Sequence, residues 1–137
     1  MKDVRGGATG EERMPKHILA VDDEMPIRRL VQINLQRAGY RVTMACDGQE
    51  ALLKMQADPV DLLVLDIGMP NMDGLELLRR LKADPETAGM PIILLTGKKR
   101  DGDVVEGWHA GADSYLTKPF HPTELLATVQ QLLPAAE

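Results

Sequence analysis

The sequence predicts an α/β protein built on a doubly wound, five-stranded parallel sheet with strand order 2-1-3-4-5. Three observations carry that prediction. Short apolar runs alternate with segments of helical apolar period along the 137 residues. Three of the runs, Ile18–Val21, Val60–Leu65 (apolar except at Asp61) and Ile92–Leu95, suit strands buried on both faces at the sheet centre. Two others, at 40–45 and 114–117, mix polar and apolar positions, as edge strands do. Right-handed crossovers between parallel strands then give the 2-1-3-4-5 order.

Residues 1–16 are polar, carry Gly6, Gly7 and Gly10 and lack an apolar period, so they are expected to form a flexible N-terminal tail. The folded unit is expected over 17–134, with 135–137 as a short C-terminal tail. After the first strand, Ile27, Leu30, Val31, Leu35 and Ala38 fall at helical spacing, with Pro26 suited to the first turn and Gly39 just past the end. Tyr40–Ala45 is the second strand. Asp47 and Glu50 form a capping-box pattern that opens a helix through about Ala57. The third strand follows, and Asp73 with Glu76 repeats the capping pattern ahead of Leu75, Leu77, Leu78 and Leu81. After the fourth strand a weaker helix covers roughly 102–110, with Gly107 inside it. Ser114–Thr117 is the fifth strand. Pro122 opens the last helix, whose Leu125, Leu126, Val129, Leu132 and Leu133 make an apolar stripe that Pro134 ends. This is the flavodoxin-like (βα)5 arrangement, in which ligands bind beyond the carboxyl ends of the strands where the winding reverses.

Composition narrows the function classes. A net charge of −5 suits a nucleic-acid partner poorly. Aromatic residues make up 3% of the chain, so the core must be aliphatic. A single cysteine, Cys46, allows no intrachain disulfide and fits a reducing cytoplasm. No apolar run approaches the roughly 20 residues of a membrane span, and the first residues lack a signal peptide's apolar core.

The polar residues at the strand ends point to chemistry. Strand 1 runs into Asp22 and Asp23, strand 3 into Asp66, strand 4 into Thr96 and Gly97, and strand 5 into Lys118 and Pro119. All four groups leave the same edge of the sheet, and the acids flank the switch point. Three carboxylates in one crevice repel, and a hard divalent cation relieves the repulsion. Mg²⁺ takes one or two carboxylates plus phosphate oxygens. Gly68 has no side chain, so its carbonyl could approach such an ion closely. With the Lys118 ammonium and the Thr96 hydroxyl, the set makes a phosphoryl-transfer site in which a carboxylate is the nucleophile.

The segments "LAVDDE", "LDIGMPNMDG", "ILLTG" and "GADSYLTKPF" resemble the response-regulator receiver domain of two-component signalling, over about residues 17–133. The resemblance implies that Asp66 accepts phosphate from a sensor histidine kinase or phosphotransfer protein. It implies that Asp22 and Asp23 hold Mg²⁺, with Asp66 and the Gly68 carbonyl completing the protein ligands. Thr96 and Tyr115 would be the switch pair, Lys118 would bind the phosphoryl group, and Lys118–Pro119 would be a cis peptide. The switched surface would be that of helix 4, strand 5 and helix 5, meeting a downstream protein or a second copy of the chain. Gly97 stands where alanine is frequent, and Gly68 and Lys98 occupy positions that tune phosphate lifetime in the family.

The chain ends four residues after Leu133 with no helix-turn-helix or catalytic domain following. Output through protein contact by a stand-alone receiver, without direct nucleic-acid or membrane binding, is therefore expected; a receiver cut from a longer regulator or hybrid kinase is the alternative. An aspartyl phosphatase would want a second acid two residues past its nucleophile, where Gly68 stands. A nucleotide module would want a phosphate-cradling glycine loop, and neither G-x-G-x-x-G after strand 1 nor G-x-x-x-x-G-K-[ST] occurs. The chain is thus expected to catalyse only its own phosphorylation and dephosphorylation. Other polar residues receive plainer readings. Asp73 is an N-cap, and His17, His109 and His121 are surface or cap residues. Cys46 is a small buried hydrophobe and Trp108 a partly buried aromatic.

Overall fold

Five strands form the sheet: β1 (His17–Val21), β2 (Arg41–Ala45), β3 (Leu62–Asp66), β4 (Ile92–Thr96) and β5 (Ser114–Thr117). The computed structural model describes residues 15–67, 74–97 and 110–133. Its helices are α1 (Met25–Arg37), α2 (Gly48–Ala57), α3 (Gly74–Ala83) and α4 (Pro122–Leu132). Residues 1–14 of the tail expected over 1–16, the tail at 135–137, the Asp73 cap, and residues 102–109 of the helix expected over 102–110, with Trp108 and His109, lie outside the described residues. The C-terminal helix is therefore α4 here.

All strand pairs are parallel, and the order is β2-β1-β3-β4-β5. This is the doubly wound order that the strand compositions predict. Every residue of β1, β3 and β4 is buried, because helices cover both faces. Alternation divides these strands between two cores. Leu19, Val21, Leu63, Leu65, Ile92 and Leu94 join Leu77, Leu78 and Leu81 of α3 on one side. Ile18, Ala20, Leu62, Val64, Ile93 and Leu95 join Val31 and Leu35 of α1 and Leu125 and Val129 of α4 on the other. Each large aliphatic side chain buried this way stabilises the fold by about 1.5–3 kcal/mol. The edge strands β2 and β5 bury only some positions.

Two local readings need correction. His17 is buried, not a surface or cap residue. It begins a central strand, and its polarity is met by distant partners: Nδ1 donates to the Pro59 carbonyl at 2.7 Å, and Nε2 lies 2.7 Å from Thr43 Oγ1. Cys46 is exposed, not buried, because it stands one residue past the end of β2. Asp47 is the N-cap of α2, as the Asp47–Glu50 pattern predicts, and only the return bond falls one residue further upstream. Asp47 accepts from the Glu50 N–H at 2.8 Å, but the Glu50 carboxylate accepts from Cys46 N–H at 2.7 Å. His121 does cap: it precedes α4, and its own N–H donates to Glu124 at 2.8 Å. The C-terminal end of α4 is pinned by the buried Tyr40, whose hydroxyl donates to the Leu133 carbonyl at 2.8 Å.

Candidate functional site

Strand register sets the site. Val21 lies opposite Leu65, Asp66 opposite Leu95, and Thr96 opposite Thr117. The residues that end β3 and β4, and those just past β1 and β5, therefore share one rim.

Asp22 is the most buried acid there, at 1% exposure. Its N–H donates to the Ala45 carbonyl at 3.2 Å, and its Oδ1 accepts from the Glu24 N–H at 2.9 Å. Asp66 is the last residue of β3 and is also buried, whereas Asp23 is exposed. One carboxylate oxygen from each of Asp22, Asp23 and Asp66 lies within 4.8 Å of the others.

Lys118 reaches into this cluster from the end of β5. Its N–H donates to the Thr96 carbonyl at 2.6 Å, and the following bond to Pro119 is cis. The ammonium lies 2.8 Å from Asp22 Oδ2, 3.4 Å from Asp66 Oδ1 and 3.5 Å from Glu24 Oε1. Burial pushes the Asp22 carboxyl above its ordinary range, and Lys118 and the Glu24 N–H offset this only in part. Burial alone would lower the Lys118 pKa, but the contact with Asp22 and the charges of Asp22, Asp66 and Glu24 outweigh it and raise it. Lys118 is thus held as a cation.

The acid set fits a hard divalent cation. Asp22 Oδ2 is buried and meets Lys118 at ion-pair distance, yet it receives no hydrogen bond of good geometry. An oxygen in that state, with two further carboxylates at ligand spacing, is what Mg²⁺ takes. Gly68, the expected carbonyl ligand, lies outside the described residues. Thr96 is buried and its hydroxyl donates to the Gly97 carbonyl at 3.0 Å. Tyr115, on β5, is 41% exposed.

Removing the shared cation has a clear expected result. Lys118→Met leaves Asp22 Oδ2 buried without its ion-pair partner, which should lower stability by about 1–3 kcal/mol without divalent ions. Added Mg²⁺ should restore part of the loss. Urea midpoints with and without the ion check both statements.

Three residues at the rim escape the sequence reading. Glu24 supplies a third carboxylate to Lys118, and its place directly after two aspartates was a usable signal. Arg28 Nη1 donates to the Asp22 carbonyl at 2.7 Å. Gly74 begins α3, and its N–H donates to the Ile67 carbonyl at 2.9 Å, against the end of β3.

The chain is similar to known proteins. The family model of the response regulator receiver domain matches residues 18–130. The chain is 45% identical over 124 residues to the alkaline phosphatase synthesis transcriptional regulatory protein PhoP of Bacillus subtilis, covering 90% of this chain and 51% of that protein. It is 43% identical over 118 residues to the phosphate regulon transcriptional regulatory protein PhoB of Pseudomonas aeruginosa, covering 86% and 52%. The chain thus spans about half the length of these curated relatives. The solved structure of the chemotaxis response regulator CheY4 of Vibrio cholerae aligns with a TM-score of 0.80 at 40% identity, covering 86% of this chain and 98% of that one.

Proposed function

This chain belongs to the response regulator receiver domain family of two-component signalling, and from that premise we propose that Asp66 is its phosphoryl acceptor. The observation that carries the proposal is the Lys118 ammonium, set 2.8 Å from Asp22 and 3.4 Å from Asp66 within a three-acid cluster.

The donor is a phosphohistidine of a sensor kinase or phosphotransfer protein, or a small acyl phosphate. An Asp66 carboxylate oxygen attacks phosphorus, the bond from phosphorus to the imidazole nitrogen breaks, and its electron pair leaves with the imidazole, which takes a proton. The product is an aspartyl phosphate. Asp22, Asp23 and Asp66 would hold Mg²⁺, which would supply positive charge to the phosphoryl oxygens. Lys118 balances the charge of the remaining oxygens, and Thr96 supplies a hydroxyl donor. No other substrate is turned over.

The output is a population shift. Thr96 now donates to Gly97, and Tyr115 is exposed. On phosphorylation Thr96 turns toward the new oxygens, and Tyr115 moves into the space it leaves. That repacks the surface around β5 and α4, which meets a protein target or a second copy of the chain. A stand-alone receiver in the cytoplasm fits this scheme, without direct contact to nucleic acid or membrane. No helix among the described residues is long and apolar enough to cross a membrane. The alternative is the receiver of a longer regulator or hybrid kinase; the relatives named as transcriptional regulators are matched over about half of their length.

The test uses the full chain with acetyl phosphate. With Mg²⁺, intact mass should rise by one phosphoryl group, and the gain should disappear with a chelator or hydroxylamine. No gain, or a gain that resists hydroxylamine, would overturn the proposal.

A further inference from the structure

Asp22 and Asp23 can act together only if the peptide between them is held in one orientation. The carbonyl of that peptide is Asp22 O, and it accepts from Arg28 Nη1 at 2.7 Å. That bond holds the carbonyl of the peptide, beside the bonds from the Asp22 N–H to Ala45 and from the Glu24 N–H to Asp22 Oδ1.

Arg28 stands where local physics disfavours it. It lies near the start of α1, a helix with no acidic residue in its first turn and no side-chain bond from its N-cap Glu24. A cation near the positive end of a helix dipole costs about 0.3–1 kcal/mol, although Glu24 at the N-cap and Asp22 and Asp23 before it bring negative charge to this end. A residue that breaks a local rule signals compensation elsewhere. Here those acids answer the charge, and the Asp22 carbonyl gives Arg28 a fixed acceptor. The neighbouring Arg29 carries the same charge but is exposed. Lys118 holds Asp22 by its carboxylate and Arg28 holds it by its backbone, so two cations grip one residue from different groups.

We infer that Arg28 is a positioning residue, which fixes the Asp22–Asp23 peptide and thereby pre-forms the divalent-cation site. It touches neither the ion nor the phosphoryl group. The inference rests on the reading of the acid cluster as a Mg²⁺ site. A side chain that orients a ligand from behind is commonly worth 10–100-fold in metal affinity.

The test measures Mg²⁺ affinity by titration calorimetry on the full chain, at a temperature where circular dichroism shows each variant folded. Arg28→Met keeps the aliphatic stem and removes the donor; Arg29→Met makes the same charge change on an exposed neighbour. The expected result is about a tenfold weaker Mg²⁺ affinity for Arg28→Met, with Arg29→Met within about twofold of the parent. Labelling by acetyl phosphate in Arg28→Met should return to the parent rate once Mg²⁺ is saturating. Equal losses in both variants would assign the effect to net charge and overturn the inference. So would an unchanged affinity in Arg28→Met while the parent binds Mg²⁺ normally. Failure of the parent chain itself to bind Mg²⁺ would instead overturn the metal reading, and this inference with it.

Discussion

Asp66→Asn should abolish acetyl-phosphate labelling, by a factor on the order of a thousand or more, while making the protein more stable. The first half follows from losing the nucleophile. An amide oxygen at that position cannot form the acyl phosphate, and the remaining groups only position and neutralise. The second half follows from the cluster's own charge. Oxygens of Asp22, Asp23 and Asp66 gather within 4.8 Å of one another, while Lys118 lies near two of those residues. At an effective dielectric near 20, two unit charges about 4 Å apart repel by roughly 4 kcal/mol. The side chains are partly solvated, so only a fraction of that acts here. Replacing one carboxylate by an isosteric amide should raise stability by about 1 kcal/mol without divalent ions, a trade often seen where a site stores repulsion for function. Mg²⁺ should then stabilise the parent more than the variant. Mass spectrometry and urea midpoints in chelator and in Mg²⁺ give all three readings. A variant that loses label and also loses stability would mean that Asp66 holds the fold together. A variant that keeps label would remove Asp66 from the chemistry.

The central strands were legible because burial on both faces leaves little choice of residue. Ile18–Val21 and Ile92–Leu95 read as central strands and are so. The rim was legible for the opposite reason. A carboxylate directly after four apolar residues is costly unless something is built around it, and Asp66 stands there. What stayed hidden depends on partners far along the chain. His17 looks like a surface residue until Pro59 and Thr43, 42 and 26 residues away, meet its two ring nitrogens. The third strand reads as starting at Val60, but the Asp61 carboxylate accepts from the His17 N–H at 2.8 Å and β3 begins at Leu62. Arg28 was invisible for a related reason. Its partner is a backbone carbonyl, which leaves no trace in residue type.

Gly74→Ala should damage the site without altering any group that touches phosphate. An added Cβ at Gly74 would collide with the Asp66 carbonyl oxygen and come within 2.7 Å of Ile67 Cα. Both obstacles are backbone, so no side chain can swing aside. Either α3 backs away from the sheet or the end of β3 moves. The first is resisted by Leu75, Leu77, Leu78 and Leu81, which seat α3 in its core. The second displaces Asp66 itself. Crowding of this kind costs about 1–3 kcal/mol of stability. Because an error near 1 Å at a reacting group costs about a hundredfold, phosphoryl acceptance should fall by that order. Gly97→Ala is the matched control: it adds the same methyl group at the same rim, where a Cβ meets nothing within 4 Å. It should leave urea midpoint and labelling rate close to the parent's. If Gly74→Ala behaves like Gly97→Ala, then α3 does not press on the end of β3, and the placement of Asp66 is owed to the sheet alone.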